Sequence, residues 1–135
     1  KIVAAVHAGW RGTLMGIAAK MVREFDHRYG VVPEEIEAAL GPSIGACCYE
    51  VKEDVTRPLH EKWRRIAGAN IQTRDGKSFV DLRRLNRDIF ESAGIPSKQL
   101  FEIGPCTYCE SGEFFSYRRE KKETGRQMSF IGWVN

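Results

Sequence analysis

The sequence predicts an α/β (α+β) chain, a single domain over residues 1–135 with a mixed β-sheet flanked by helices. Three observations lead there. Apolar residues recur at three-and-four spacing over 13–29 and again over 82–90, the signature of amphipathic helices. Short apolar or alternating runs over 1–8, 36–40 and 98–104 read as strands. The elements interleave as strand, helix, strand, loop, helix, hairpin, helix, strand, strand, an order that belongs to a mixed sheet. A chain of 135 residues is about one domain in length and can bury a core without staples.

Each element has a local reason. "KIVAAVHA" is apolar and rich in β-branched residues, so it reads as a buried strand. Gly9 and Gly12 bracket a turn, and a helix follows from Thr13 to Tyr29, with Thr13 as N-cap and Gly30 as its C-terminal stop. After Pro33, the alternation of Ile36, Ala38 and Leu40 predicts a strand that ends at Gly41-Pro42. "GPSIGACCYEV" is a glycine-rich loop that returns to an extended segment. A helix over 52–68 follows, with Pro58 interrupting or starting it. Asp75-Gly76 between two extended pieces signals a hairpin. Asp81 caps a helix carrying Leu82, Leu85, Ile89 and Phe90, which stops at Gly94 and Pro96. "KQLFEIG" is a strand, and "QMSFIGW" reads as a last strand after an exposed charged turn.

The totals exclude several classes. The net charge is +3, from 21 basic and 18 acidic residues, too weak a surplus to argue for nucleic acid. The basic runs at 83–87 and 118–122 read as solvated surface or, as the lesser alternative, an anion or phosphate contact. No apolar run reaches the ~18–20 residues that span a bilayer. Four cysteines in a chain of this size are no secreted disulfide framework, so the default setting is reducing and cytoplasmic. The chain opens at Lys1 directly on a strand-like run, which reads as the C-terminal portion of a longer domain.

The candidate chemistry gathers in three places. His7 ends the first predicted strand, the edge at which α/β sheets bind ligands. A histidine there can ligate a metal, move a proton, or sit as a hydrogen-bonded core residue. Arg11 stands at the mouth of the following helix, where free N–H groups, a guanidinium and two glycines suit a phosphate or carboxylate. In "GPSIGACC", Gly41, Pro42 and Gly45 fix a tight path, and the adjacent Cys47 and Cys48 read as apolar thiols. "CTYC" (106–109) is a CxxC with no second CxxC to complete a zinc site. "FFSYRREKKETGRQ" sets aromatics beside Arg118, Arg119 and Arg126, which could hold a base and a phosphate or form a two-faced strand.

"HAGWRGT", "GPSIGACCYEV" and "FFSYRRE…TGRQ", in that order, resemble the signatures of the YfiH or laccase-domain family, also called the polyphenol oxidase or multicopper-oxidoreductase-like family. The resemblance implies a cytosolic purine nucleoside phosphorylase acting on adenosine, inosine and methylthioadenosine, with adenosine deaminase activity. It implies a single metal, zinc or copper, held by two histidines and a cysteine, of which this chain supplies His7. The other two ligands belong to motifs that precede "HAGWRG", so none of the four cysteines inherits the role. His7 and Arg11 carry over as catalytic, and Arg11, Gly12, Gly41, Ser43, Gly45 and Arg126 as substrate- or phosphate-binding. The implied partners are a small-molecule purine nucleoside and phosphate as co-substrate, with no nucleic acid and no membrane, in a monomer or homodimer. Three further readings stand beside this one: copper-dependent phenol oxidation, against which three histidines count, a non-catalytic nucleotide- or phosphate-binding fragment, and a cysteine hydrolase using Cys47 or Cys48 with His7.

Overall fold

A computed structural model describes residues 1–121 and 123–134. Their order is α1 (Trp10–Leu14), α2 (Ile17–Tyr29), a 3₁₀ turn at Pro33–Glu35, β1 (Ala38–Leu40), β2 (Glu50–Val51), α3 (Glu53–Asn70), β3 (Ile71–Arg74), β4 (Lys77–Val80), α4 (Leu82–Ser92), a 3₁₀ turn at Ser97–Gln99, β5 (Leu100–Glu102) and α5 (Tyr117–Glu120). The chain is α/β, with parallel and antiparallel pairing flanked by helices. The pairing falls into two small sheets. β1 and β5 run parallel, with Ala38 opposite Leu100 and Leu40 opposite Glu102. β2, β4 and β3 form an antiparallel sheet in that spatial order.

α4 is the pivot of the core. Leu82, Leu85 and Ile89 share one face and are buried, while Arg84 and Glu91 face solvent. Each such aliphatic side chain contributes about 1.5–3 kcal/mol when fully buried. They pack with Leu59 and Ala67 of α3, Val80 of β4 and Val51 of β2. A second cluster, Val22, Ile36, Ile95 and Leu100, seals α2 against the parallel pair. Two of the predicted helix ends hold. Asp81 Oδ1 accepts the Arg84 N–H at 2.9 Å, and Gly30 ends α2 at φ 66°. Asp75 (φ 49°) and Gly76 (φ 72°) make the tight hairpin turn, since both of its positions need positive φ.

Four local expectations are corrected. The helix predicted from Thr13 begins at Trp10, so Thr13 lies inside α1 rather than capping it. Gly16, at φ 75°, breaks the run into α1 and α2 against the Trp63 indole, which lies 3.3 Å from where a Cβ would stand. Pro58 lies inside α3, and the interruption falls instead at Arg64 (φ 31°, ψ −99°). Residues 1–8 and 127–133 are not strands: Val3, Val6, Met128 and Phe130 are exposed, and neither run pairs with a strand among the described residues. β-structure is completed by a neighbour's hydrogen bonds, which an apolar run does not itself provide.

The basic run at 83–87 does structural work that its composition does not suggest. Arg83 donates to the carbonyls of Ile103 and Gly104, at 3.3 and 2.6 Å. Arg87 donates to Ser97 Oγ at 2.6 Å and faces Glu91 and Glu102. No helix among the described residues is long and apolar enough to cross a membrane.

One buried polar contact joins α1 to α4. Asn86 Nδ2 donates to Thr13 Oγ1 at 2.8 Å and to the Leu82 carbonyl at 2.7 Å. Asn86→Ala should therefore cost about 1–3 kcal/mol, through the loss of these two buried hydrogen bonds. Combined with Thr13→Val, the loss should fall short of the sum of the two single changes by at least about 0.5 kcal/mol in denaturant unfolding. Strict additivity would show that the two side chains do not interact.

Candidate functional site

The "HAGWRGT" stretch is an anchored turn. Thr13 has no solvent exposure, and three side-chain hydrogen bonds meet at it. Its hydroxyl donates to the Ala8 carbonyl at 3.3 Å and accepts from Asn86. Its own carbonyl accepts the Trp63 indole N–H at 3.0 Å. With Thr13 fixed, the preceding residues loop outward: His7 and Arg11 are exposed, and Gly9, Trp10 and Gly12 are half-buried. These five line a shallow cavity of about 270 Å³.

Gly9 and Gly12 make room first for His7 itself. A Cβ on Gly9 would lie 2.8 Å from His7 Nε2, and one on Gly12 would lie 3.1 Å from the His7 carbonyl oxygen. The imidazole thus folds back over a bare backbone. The Arg11 guanidinium lies 4.5 Å from the Trp10 indole centroid, a cation–π contact.

A larger cavity, about 390 Å³, adjoins through Trp10 and Arg11 and is lined also by Tyr49, Lys52, Asp54 and Arg118. Arg118 donates to the Glu50 carbonyl at 2.6 Å and lies 5.1 Å from the Tyr49 ring centroid. Arg11, Lys52 and Arg118, from three separate segments, therefore line one space with Glu50 and Asp54, and the surplus of cationic groups suits a phosphate or carboxylate. Burial raises the Tyr49 hydroxyl above its ordinary range, partly offset by Arg118 and Arg11, so it stands there as a neutral donor.

The adjacent Arg119 turns the other way. Its guanidinium donates to the carbonyls of Thr107, Tyr108 and Phe114 at 2.8, 2.8 and 2.6 Å, and pairs with Glu120 at 2.7 Å. It is a brace for the 106–114 loop. Ser116 caps the short α5 by accepting the Arg119 N–H.

The structure brings His7, Arg11 and Gly12 together. Gly41, Ser43 and Gly45 line neither cavity. Ser43 bridges Cys106 in a short parallel pairing, and a Cβ on Gly45 would stand 3.3 Å from Cys47 Sγ and 3.4 Å from Cys106 Cβ. Arg126 is exposed and donates to the carbonyls of Thr124 and Gly125 beside it.

The reading of the cysteines as apolar thiols changes most. Cys47, Cys48, Cys106 and Cys109 converge, with all four sulfurs within 4.8 Å of one another. Cys47 and Cys109 are exposed. The second pair that CxxC lacks in sequence is the vicinal pair, delivered by the fold from 58 residues away. Burial pushes the Cys106 thiol up, but the N–H groups of Gly45, Cys109 and Tyr108 more than offset this and hold it at about 6. Burial and the neighbouring sulfurs raise Cys48, and burial raises Cys47. Tyr49 is the other residue that sequence reasoning passed over, and of the three arginines singled out after the aromatics only Arg118 lines the larger cavity. The pairing of two cysteine doublets was the one visible signal.

A family model described as multi-copper polyphenol oxidoreductase laccase matches residues 1–134. The chain is 38% identical to "Purine nucleoside phosphorylase YlmD" of Geobacillus stearothermophilus over 97% of its own length and 48% of that protein's. It is 40% identical to "Adenosine deaminase RL5" from an unknown prokaryotic organism, over 96% of this chain and 50% of that one. The fold superposes on the crystal structure of a Bacillus licheniformis hypothetical protein YfiH with a TM-score of 0.80 at 39% identity, covering 86% of this chain and 44% of that one. The chain spans about half the length of the curated relatives it matches.

Gly9 has ordinary extended dihedrals (φ −68°, ψ 174°), so alanine is allowed there by the backbone and excluded only by the His7 ring. Gly9→Ala should change unfolding free energy by less than about 0.5 kcal/mol, as for a surface substitution. The His7 ring resonances should nevertheless shift clearly in a ¹H–¹³C spectrum. Unmoved resonances would place the imidazole elsewhere.

Proposed function

Because the chain belongs to the multi-copper polyphenol oxidoreductase laccase family, we propose that it carries the phosphate-binding side of a purine nucleoside phosphorylase, at a site that also uses a metal through His7. The observation that supports this best is the cavity lined jointly by Arg11, Arg118 and Lys52 beside the His7 turn. In this reading Arg11 and Arg118 hold phosphate by paired N–H donation, and the Tyr49 hydroxyl adds a neutral hydrogen bond. A phosphate oxygen attacks C1′ of the ribose, the C1′–N9 bond breaks, its electrons pass to the purine, and the purine takes up a proton. The guanidiniums act by holding the nucleophile in line with C1′ rather than by exchanging protons.

The metal fits this chain in part. His7 offers one imidazole, and it belongs to no group of three or more histidine, cysteine or carboxylate donors among the described residues. One nitrogen does not hold a zinc or copper ion. When bound by further donors, such an ion supplies Lewis-acid charge to the reacting centre. The name of the RL5 relative favours adenosine deamination as a second activity of the same pocket. A cytoplasmic, small-molecule enzyme remains the setting proposed for the chain.

The test uses the intact protein, metal-replete, with inosine or adenosine in the presence and absence of phosphate. Phosphate-dependent release of hypoxanthine or adenine with ribose 1-phosphate is the expected result. Arg11→Ala should lower kcat/KM by about 10²-fold, the usual loss on removing one charge-stabilising donor. His7→Ala should remove the site's metal and the activity with it. Base release that is indifferent to phosphate, or to Arg11→Ala, would overturn the proposal. Oxidation of a phenol in place of nucleoside turnover would favour the older reading of the family.

A further inference from the structure

We propose that Cys47, Cys48, Cys106 and Cys109 form a closed tetrathiolate site for one zinc ion, which pins the 41–49 loop to the 106–109 turn. The inference rests on the cysteine geometry and not on the nucleoside reading.

The sulfurs are spaced for one shared ion. Zinc bonded to four sulfurs at about 2.3 Å with tetrahedral angles sets them about 3.8 Å apart. Here Cys109 Sγ lies 3.7 Å from Cys47 Sγ and 3.5 Å from Cys48 Sγ, and no pair exceeds 4.8 Å. A disulfide would require contact at about 2.05 Å and would use two sulfurs of the four. All-sulfur tetrahedral donors select zinc or iron over harder ions, and a filled set of four leaves no open position, the mark of a structural site.

The surroundings are built for thiolates. The Gly45 N–H donates to Cys106 Sγ at 3.2 Å. A Cβ on Gly45 would meet Cys47 Sγ at 3.3 Å and Cys106 Sγ at 3.6 Å, so the loop passes close against the sulfurs. The CxxC closes as a tight turn, in which the Cys109 and Glu110 N–H groups donate to the Cys106 carbonyl at 3.1 Å each. Zinc with four thiolates carries a net charge of about −2. Two guanidiniums stand beside it: Arg74 donates to the carbonyls of Ala46 and Cys47, and Arg119 to those of Thr107 and Tyr108. Such second-layer donors orient ligands and neutralise the centre. The Thr107 N–H to the Ser43 carbonyl, at 3.1 Å, already holds the two segments together. On binding, each thiol loses its proton to solvent as its sulfur takes a place on zinc, with no oxidant or reductant involved.

The site has a structural consequence. Tyr49 follows directly on Cys48, and the Arg119 brace of the CxxC loop sits next to Arg118 on α5. The ion would therefore fasten two walls of the cavity that Arg11 and Arg118 share.

The test loads the reduced intact protein with zinc, or with cobalt in its place, in the His7→Ala background, so that the family's own metal cannot answer. The expected result is about one zinc per chain by elemental analysis. Cobalt should give thiolate-to-metal charge-transfer absorption and the visible bands of a tetrahedral site. Cys106→Ser should lower zinc affinity at least about tenfold. Should that variant not fold, titrating the zinc-loaded His7→Ala protein with an organomercurial should release the ion in step with four thiols. Absence of metal and of the cobalt spectrum, iron in place of zinc, or a disulfide in the mass spectrum of freshly reduced protein would each overturn the proposal.

Discussion

A single buried threonine sets the geometry of the first motif. Thr13 is the fourth residue of a five-residue helix too short to hold itself, since a first helical turn costs more than it returns. What holds α1 is its hydrogen bonding to other segments. Asn86 reaches Thr13 from α4 and Trp63 reaches it from α3, so the turn is tied to the two helices that carry the main core. Both Thr13 and Asn86 are buried and polar, and in that setting each needs the other. The residues offered to solvent, His7 and Arg11, are displayed because Thr13 is not.

The opposite wall of the larger cavity is held by a different device. Adjacent arginines on α5 divide two tasks that composition cannot separate. Arg119 is half-buried and spent on backbone carbonyls, while Arg118 is exposed and faces the cavity. A one-residue change in position along a short helix rotates a side chain by about 100°, enough to turn one guanidinium inward and its neighbour outward. The cysteine quartet lies on the braced side. The charge that lines the cavity and the framework that braces its wall are thus interleaved in a few residues of sequence.

How much of this was legible follows from where the determining interactions lie. α2, α4 and the Asp75-Gly76 hairpin were readable because their signals are local: periodicity, a cap, a turn that demands positive φ. The apolar runs at 1–8 and 127–133 carry the composition of strands and not the structure, because pairing depends on a partner and composition only on the run itself. The break at Gly16 depends on Trp63, 47 residues on, and was invisible for that reason. His7 and Arg11 were singled out through their position at a turn, and both line the smaller cavity. The cysteine convergence was missed because each half looks ordinary alone. A vicinal pair is a poor disulfide and one CxxC is half a site, and only the register of Ser43 against Cys106 joins them.

The most direct measurement of the central constraint is amide hydrogen exchange in native protein, compared with the near-isosteric Thr13→Val variant. If Thr13 anchors the turn, exchange over residues 9–16 should accelerate about tenfold or more, the equivalent of one lost hydrogen bond, while the 71–80 hairpin keeps its protection. Equal acceleration everywhere would mean that Thr13 supports only global stability. No change over 9–16 would mean that the turn is held by something else, and would contradict the dependence of His7 and Arg11 on the buried threonine.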